Sequence, residues 1–111
     1  MISKIKKLLE NKENINLEKI IANGAIVIDV RTADEYKGGH IKGSLNIPLS
    51  DIKEAMSWLI KDVPTIMCCE SGSRSAAAKK ILEANGYSKV YNGGSCNDLG
   101  KITKGGTCAV K

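Results

Sequence analysis

Short apolar runs alternate along the chain with segments whose apolar residues recur at helical spacing. Four runs have the length and branched side chains of buried strands, and they lie at 25–30, 44–47, 65–69 and 89–91. Helical spacing predicts two short helices within 1–22 and further helices near 32–38, 51–61, 73–85 and 95–103. Strands that alternate with helices predict an α/β domain with a mainly parallel sheet.

Residues suited to helix ends support these boundaries. Asn16 is placed to cap the second helix. Thr32 and Glu35 have the spacing of a capping box at the start of the next one. Gly86 follows the long helix of the second half and supplies its C-terminal stop.

The size and composition of the chain fit one domain. Its 111 residues suit a single domain with a core over about 15–103 and a tail at 104–111. The chain has no Phe and one Trp, so aliphatic residues must fill the core. The lack of aromatic side chains also argues against a surface that binds nucleic acid by stacking on its bases. The net charge is +5, but the basic residues form no recognisable nucleic-acid-binding motif, which argues against nucleic acid as the partner. A small anionic substrate suits the positive charge.

The cysteines are expected to be free thiols. The N-terminal segment lacks the apolar stretch of a secretory signal or a membrane span, so we expect a cytoplasmic protein without a membrane partner. That compartment is reducing. The four cysteines, Cys68, Cys69, Cys96 and Cys108, do not have the C-x-x-C spacing of zinc sites. Their reactivity is therefore the property of interest.

Candidate functional groups fall at the carboxyl ends of the predicted strands. Arg31 follows the first strand, Cys69 ends the third, and Gly93 with Gly94 follows the last. Ligands of open parallel sheets bind outside the carboxyl ends of the strands. The sequence therefore predicts one site at this edge.

The loop after Cys69 has the composition of an anion cradle. The strand TIMCC runs into ESGSRS and then directly into a helix. Small residues let successive backbone N–H groups turn inward, and the helix N-terminus adds partial positive charge. A thiol at the base of such a loop is stabilised as its thiolate, which is the reactive form. Arg74 adds a fixed positive charge in the first helical turn.

Three motifs resemble those of the rhodanese family. The segment DVRTADEYKGGHIKGSLNIP resembles the family signature after the first core strand. The pattern C-x-x-G-x-R-S that begins at Cys69 resembles the family's active-site loop, and YNGG at 91–94 is similar to the glycine pair after its last strand. The resemblance covers about residues 15–103.

The resemblance implies a three-layer α/β domain with a central, mainly parallel five-stranded sheet flanked by helices. It implies that Cys69 takes the outer sulfur of thiosulfate, polysulfide or a protein persulfide, and that this sulfur passes to a thiol, a protein thiol or cyanide. No metal or organic cofactor is required, and we expect a monomer or a weak dimer. The residues implied in holding the persulfide are Glu70, Ser71, Gly72, Ser73, Arg74 and Ser75.

Glu70 departs from the family pattern. Members that use thiosulfate often carry basic residues in this loop, whereas this chain places a carboxylate directly after Cys69. Its charge is expected to disfavour a dianionic donor.

Other roles for the candidate residues are open at this stage. Cys68 begins a C-x5-R-S pattern of the kind found in cysteine phosphatases, although alternation turns it to the face opposite Cys69. A binding or redox-sensing module would use the same fold without turnover. Arg31 and Asp29 are possible supports of the site, as an ion pair or through the loop backbone. Cys96 is either a small residue at a helix start or a thiol that resolves a persulfide.

Overall fold

A computed structural model describes residues 16–103 as a parallel sheet with helices packed on both faces. The strands are β1 Ile26–Asp29, β2 Leu45–Asn46, β3 Thr65–Cys69 and β4 Val90–Ser95. The helices are α1 Leu17–Ala22, α2 Ala33–Lys37, α3 Ile52–Ala55, α4 Ser73–Ala84 and α5 Cys96–Ile102, and a 3-10 turn at Leu49–Asp51 precedes α3. The first of the two helices predicted within 1–22 and the tail at 104–111 lie outside the described residues.

The sheet has the strand order β2-β1-β3-β4, and every neighbouring pair is parallel. Within residues 16–103 it has four strands, which corrects the expectation of five. Each buried parallel strand needs its own apolar run, and the four strands lie on the four runs predicted from the sequence. Because all pairs are parallel, the carboxyl ends of the strands meet at one edge.

The two faces of the sheet bury two apolar clusters. Side chains alternate along β3, so Met67 and Cys69 pack with α3 and α4, whereas Ile66 and Cys68 pack with α1 and α5. The adjacent cysteines therefore lie on opposite faces, as the alternation predicted, and both are fully buried.

Helix starts follow the predicted caps, but one helix is shorter than expected. The Asn16 side chain accepts a hydrogen bond from the Lys19 N–H at 3.1 Å, and the full capping box forms before α2. The helix predicted over 51–61 is replaced by the 3-10 turn and the short α3. Beyond α3 the chain continues in hydrogen-bonded turns as far as Leu59, whose side chain is buried in the core, whereas Trp58 is 55% and Ile60 is 60% exposed. No helix in the described part of the chain has the length and apolarity to cross a membrane.

Candidate active site

Cys69 ends β3 at the base of the loop that leads into α4. The backbone N–H of Gly72 donates to Cys69 Sγ with a nitrogen–sulfur distance of 2.9 Å, and that of Ser75 donates at 3.4 Å. The Ser75 hydroxyl lies 3.5 Å from the same sulfur. Three polar groups at the N-terminus of a 12-residue helix thus converge on the thiol. This arrangement stabilises a thiolate.

Asn92 in β4 holds the loop against the neighbouring strand. Its Oδ1 accepts hydrogen bonds from the Ser75 hydroxyl at 2.6 Å and from the Gly94 N–H at 2.8 Å. Its Nδ2 donates to the Gly72 carbonyl at 3.2 Å. One amide side chain therefore positions both residues whose N–H groups point at the sulfur.

Glycines allow this close packing of loop and strand. Gly72 has a φ of 99°, and a Cβ there would lie 3.4 Å from Gly94 Cα. Gly93 and Gly94 lie inside β4 rather than after it, which corrects the predicted strand end. A Cβ on Gly93 would come within 2.8 Å of Ile66 Cγ2, so a larger residue would push β4 away from the core.

The loop makes the Cys69 thiol more acidic than an ordinary cysteine. Burial has the largest single effect and raises the pKa. The Ser75 hydroxyl and the backbone N–H groups of Ser75, Gly72 and Ser71 together outweigh burial, so the pKa of Cys69 lies below its usual value. More of the thiol is thereby ionised at neutral pH.

Replacing Ser75 with alanine is expected to raise the pKa of Cys69, because it removes a hydroxyl that lies 3.5 Å from the sulfur and whose single proton can turn from Asn92 Oδ1 to the thiolate. A hydrogen bond to a charged group contributes about 1.5–3 kcal/mol, so alkylation of the thiol at neutral pH should slow by about tenfold. The measurement is the rate of iodoacetamide labelling across a pH series. Ser73→Ala is the matched control, since the Ser73 hydroxyl contacts Ser71 Oγ in the same turn. An unchanged pH profile for Ser75→Ala would show that backbone groups alone set the acidity.

Asp29 and Arg31 form a buried ion pair beside the loop. The Arg31 Nη2 donates to Asp29 Oδ2 at 2.6 Å, and Nε donates to both carboxylate oxygens at 2.9 and 3.0 Å. The Arg31 guanidinium also donates to the Gly39 carbonyl at 2.8 Å. The side chains are 1% and 12% exposed respectively. The pair fixes the end of β1 to the turn after α2.

Arg74 links α4 to α2 at the mouth of the site. Its guanidinium makes two hydrogen bonds to the Glu35 carboxylate, at 2.7 and 3.1 Å, and lies 4.0 Å from Glu70. The hydrogen bond from Arg74 holds the pKa of Glu35 well below its usual range. The same bond raises the pKa of Arg74, to which the charges of Cys69 and Glu70 add. Arg74 is thus a fixed cation near the sulfur.

A cleft of about 350 Å³ opens at Cys69. Its lining residues are Arg31, Asp34, Glu35, Gly38, Gly39, Cys69, Glu70, Cys96 and Asn97. The volume is at the small end for ligand sites and suits a small ion or a side chain of a partner protein.

The predicted site residues are largely brought together. Four of them, Cys69, Glu70, Arg31 and Cys96, line the cleft, and the Asp29 carboxylate holds Arg31. The sulfur receives the backbone N–H groups of Gly72 and Ser75, and the Ser71 N–H also lowers its pKa, whereas the side chain of Ser73 is turned to Ser71. Arg74, predicted to hold the charge of substrate or persulfide, is paired with Glu35.

One residue that shapes the site was not predicted from the sequence. Asn92 directly precedes the glycine pair inside β4, and its place in the YNGG motif could have marked it. Glu35 was predicted to form the capping box and was one of several carboxylates expected as possible partners of an arginine; the structure pairs it with Arg74, which lies 39 residues away in the chain. A contact of that range has no local signal that selects one carboxylate among several.

Fold and site together define an α/β domain in which a cysteine loop at the carboxyl edge of a parallel sheet stabilises a thiolate. The rhodanese-like domain family model matches residues 6–95, so the chain belongs to this family.

Several relatives agree with this assignment. The thiosulfate sulfurtransferase PspE of Escherichia coli (strain K12) is 36% identical over 65% of this chain and 71% of its own length. The uncharacterized protein YqhL of Bacillus subtilis (strain 168) is 41% identical over 61% of this chain, and the match spans only 54% of that relative. A solved structure of a rhodanese with anions from E. coli superposes with a TM-score of 0.63 at 36% identity, over 68% of this chain and 91% of that one.

Proposed function

We propose that this protein is a sulfurtransferase that carries sulfane sulfur as a persulfide on Cys69. In the first half-reaction the Cys69 thiolate attacks the outer sulfur of a donor, and the remainder of the donor leaves. In the second half-reaction a thiol, a protein thiol or cyanide attacks the persulfide and regenerates Cys69.

The observation that carries this proposal is the convergence of loop N–H groups on one sulfur. The Gly72 and Ser75 N–H groups point at Cys69 Sγ at 2.9 and 3.4 Å. A persulfide places its outer, negatively charged sulfur one bond further out, where a ring of N–H groups and a helix N-terminus can hold it. The same groups lower the pKa of the thiol, which provides the nucleophile.

The comparisons support this chemistry at the level of the family. The E. coli relative PspE is named a thiosulfate sulfurtransferase, as is GlpE of Ectopseudomonas mendocina at 31% identity. From these relatives we infer that this chain also transfers sulfane sulfur. The donor is proposed separately, from the charges around Cys69.

Glu70 favours a donor with less negative charge than thiosulfate. Its carboxylate follows Cys69 directly and is 74% exposed at the mouth of the site. The nearest positive charge, on Arg74, is already paired with Glu35. Repulsion of a dianion is therefore only partly offset. A protein persulfide, whose outer sulfur carries at most one negative charge, is the donor that this edge accommodates best, whereas the longer polysulfides are dianions like thiosulfate.

The rival assignments receive less support. Cys68 lies in the cluster on the other face of the sheet, with its sulfur against Cys96, whereas the loop N–H groups face Cys69. A phosphatase mechanism through Cys68 would require the loop N–H groups to point to the opposite face of the sheet. A binding module without turnover has no need of an acidified thiol.

The test is intact mass spectrometry of the purified, reduced protein after separate incubation with thiosulfate and with polysulfide. We expect a gain of about 32 Da that cyanide removes and that peptide mapping places on Cys69. Glu70→Gln should raise the rate of uptake from thiosulfate, and from the dianionic polysulfides as well, because it removes the repulsion of a doubly charged donor. No gain with either donor would contradict the transferase proposal and leave the binding module in its place.

A further inference from the structure

A pair of thiols, Cys68 and Cys96, lies on the face of the sheet opposite the proposed nucleophile. Cys68 Sγ and Cys96 Sγ are 2.7 Å apart, within reach of a disulfide bond of about 2.05 Å after a small shift. Both residues are buried, at 0% and 2% exposure, and they come from β3 and the first residue of α5. β3 and β4 are hydrogen-bonded neighbours, with Cys69 paired to Ser95, the residue directly before Cys96. The thiols are therefore held together by the fold.

One thiol of this pair shares the cleft with Cys69. Cys96 and Cys69 both line it, although they belong to the apolar clusters on opposite faces of the sheet, so the cleft is the route by which a sulfur carried on Cys69 would meet Cys96. Cys68 is not among the residues that line the cleft, but its sulfur lies against that of Cys96. Cys96 is therefore the member of the pair that a sulfur on Cys69 would reach first.

A metal site is the competing interpretation of this cluster. Ligand atoms of Asp29, Cys68 and Cys96 lie within 4.8 Å of one another. Both oxygens of the Asp29 carboxylate, however, accept hydrogen bonds from Arg31. A cation would have to displace a buried guanidinium of the same charge sign, so the cluster favours sulfur chemistry.

We propose that Cys96 and Cys68 form an internal acceptor that takes the sulfane sulfur from Cys69 and closes to a disulfide with release of sulfide. This inference rests on the proposed Cys69 persulfide. It adds an acceptor within the chain to the external acceptors of the family reaction.

The transfer balances without an external oxidant. Cys96 Sγ attacks the outer sulfur of the Cys69 persulfide anion, the Cys96 proton passes to that outer sulfur, the bond to Cys69 breaks, and Cys69 leaves as a thiolate. A leaving thiol of low pKa favours this step. Cys68 Sγ then attacks Cys96 Sγ, the outer sulfur leaves as HS⁻, and the Cys68 proton makes it H₂S. Two thiols are oxidised to a disulfide, and one sulfane sulfur is reduced to sulfide.

The surroundings of Cys96 should make the transfer from Cys69 to Cys96 slower than the formation of the Cys69 persulfide. The Cys96 thiol donates to Asp29 Oδ2 at 3.4 Å. The hydrogen bond with Cys68 and burial raise the pKa of Cys96, so it is mainly the protonated thiol at neutral pH. The Cys69 persulfide should therefore accumulate before it decays, which makes the two phases separable.

The experiment follows the full-length protein after loading with polysulfide, removal of the donor and exclusion of oxygen. Samples are denatured and alkylated at intervals, intact mass is recorded, and released sulfide is measured. Counted without the added alkyl groups, the species heavier by about 32 Da is expected to give way to one about 2 Da lighter than the reduced protein. In that species two of the four cysteines should escape alkylation, with about one sulfide released per chain.

Three cysteine variants locate the chemistry. Cys96→Ala and Cys68→Ala should hold the added sulfur and form no disulfide, whereas Cys108→Ala, in the tail, should behave as wild type. A disulfide that persists in Cys68→Ala would assign the bond to Cys69 and overturn the proposed pairing, and so would its loss in Cys108→Ala. If Cys96→Ala or Cys68→Ala fails to fold, fragmentation of the wild-type disulfide peptide decides the pairing.

The two proposals fail in different ways. A wild-type persulfide that is as long-lived as that of Cys96→Ala, with no sulfide released, overturns the internal acceptor alone. No mass gain in any chain overturns the Cys69 persulfide and the internal acceptor with it.

Discussion

Cys69→Ser is expected to abolish persulfide formation and to lower the rate of sulfur transfer by about 10⁴-fold or more, as loss of a catalytic nucleophile does. Serine fits the same space, so the loop and the contacts of Gly72 and Ser75 should survive. The loss is chemical, because those contacts ionise a thiol but not a far less acidic hydroxyl. The measurement is transfer from the preferred donor to cyanide, followed as thiocyanate, together with intact mass.

The neighbouring cysteine is the matched control for this prediction. Cys68→Ser makes the same substitution one residue earlier, on the opposite face of β3 and against Cys96. It should still take up sulfur at Cys69, with a loss of transfer below about tenfold. Thermal unfolding of both variants separates a lost nucleophile from lost folding. Sulfur uptake retained in Cys69→Ser but lost in Cys68→Ser would reverse the assignment.

Asp29→Ala is expected to destabilise the protein by about 3–5 kcal/mol, the range for removing one partner of a buried ion pair. The substitution leaves the Arg31 guanidinium, 12% exposed, without the carboxylate that accepts its hydrogen bonds at 2.6 to 3.0 Å. The partly buried guanidinium would lose the carboxylate that now balances its reduced hydration. The free energy of unfolding from a urea titration measures the effect.

Two further variants test whether loss of the Asp29–Arg31 ion pair causes the loss of stability. Asp98→Ala removes a carboxylate from the Asp98–Lys101 pair, whose atoms are 3.9 Å apart and whose side chains are 78% and 69% exposed, and should change stability by less than about 1 kcal/mol. Arg31→Met added to Asp29→Ala removes the charge that Asp29 had balanced and should restore part of the loss. A double variant no more stable than Asp29→Ala would show that the carboxylate acts through other contacts.

The sequence predicted well wherever the signal was local. The two central strands, β1 and β3, lie on continuous apolar runs because they are buried between the helices on both faces. The outer strands β2 and β4 overlap their predicted runs but are only partly buried, and β4 extends to Ser95. The capping box at Thr32 formed because its partners lie within one helical turn. Alternation alone placed Cys68 and Cys69 on opposite faces.

Predictions that needed distant contacts were incomplete. The spacing of apolar residues predicted a helix over 51–61, and Ile52, Ala55 and Leu59 do lie in the core, but α3 ends at Ala55 and the chain continues to Leu59 in turns. The resemblance implied a fifth strand that residues 16–103 do not contain. Arg74 was predicted to hold the charge of a substrate or persulfide, yet a carboxylate 39 residues away pairs with it.

By itself, the sequence determined the fold class, the edge of the sheet that carries the site and the cysteine at the base of the loop. These follow from apolar periodicity and from a loop composition that spans only a few residues. Only the tertiary structure decided that Asn92 positions the loop, that Asp29 holds Arg31 beneath the cleft and that Cys96 meets Cys68. The last of these contacts depends on the register of β3 against β4, where Cys69 pairs with Ser95. Register between strands that are far apart in the chain is set by packing the whole core, and no local pattern encodes it.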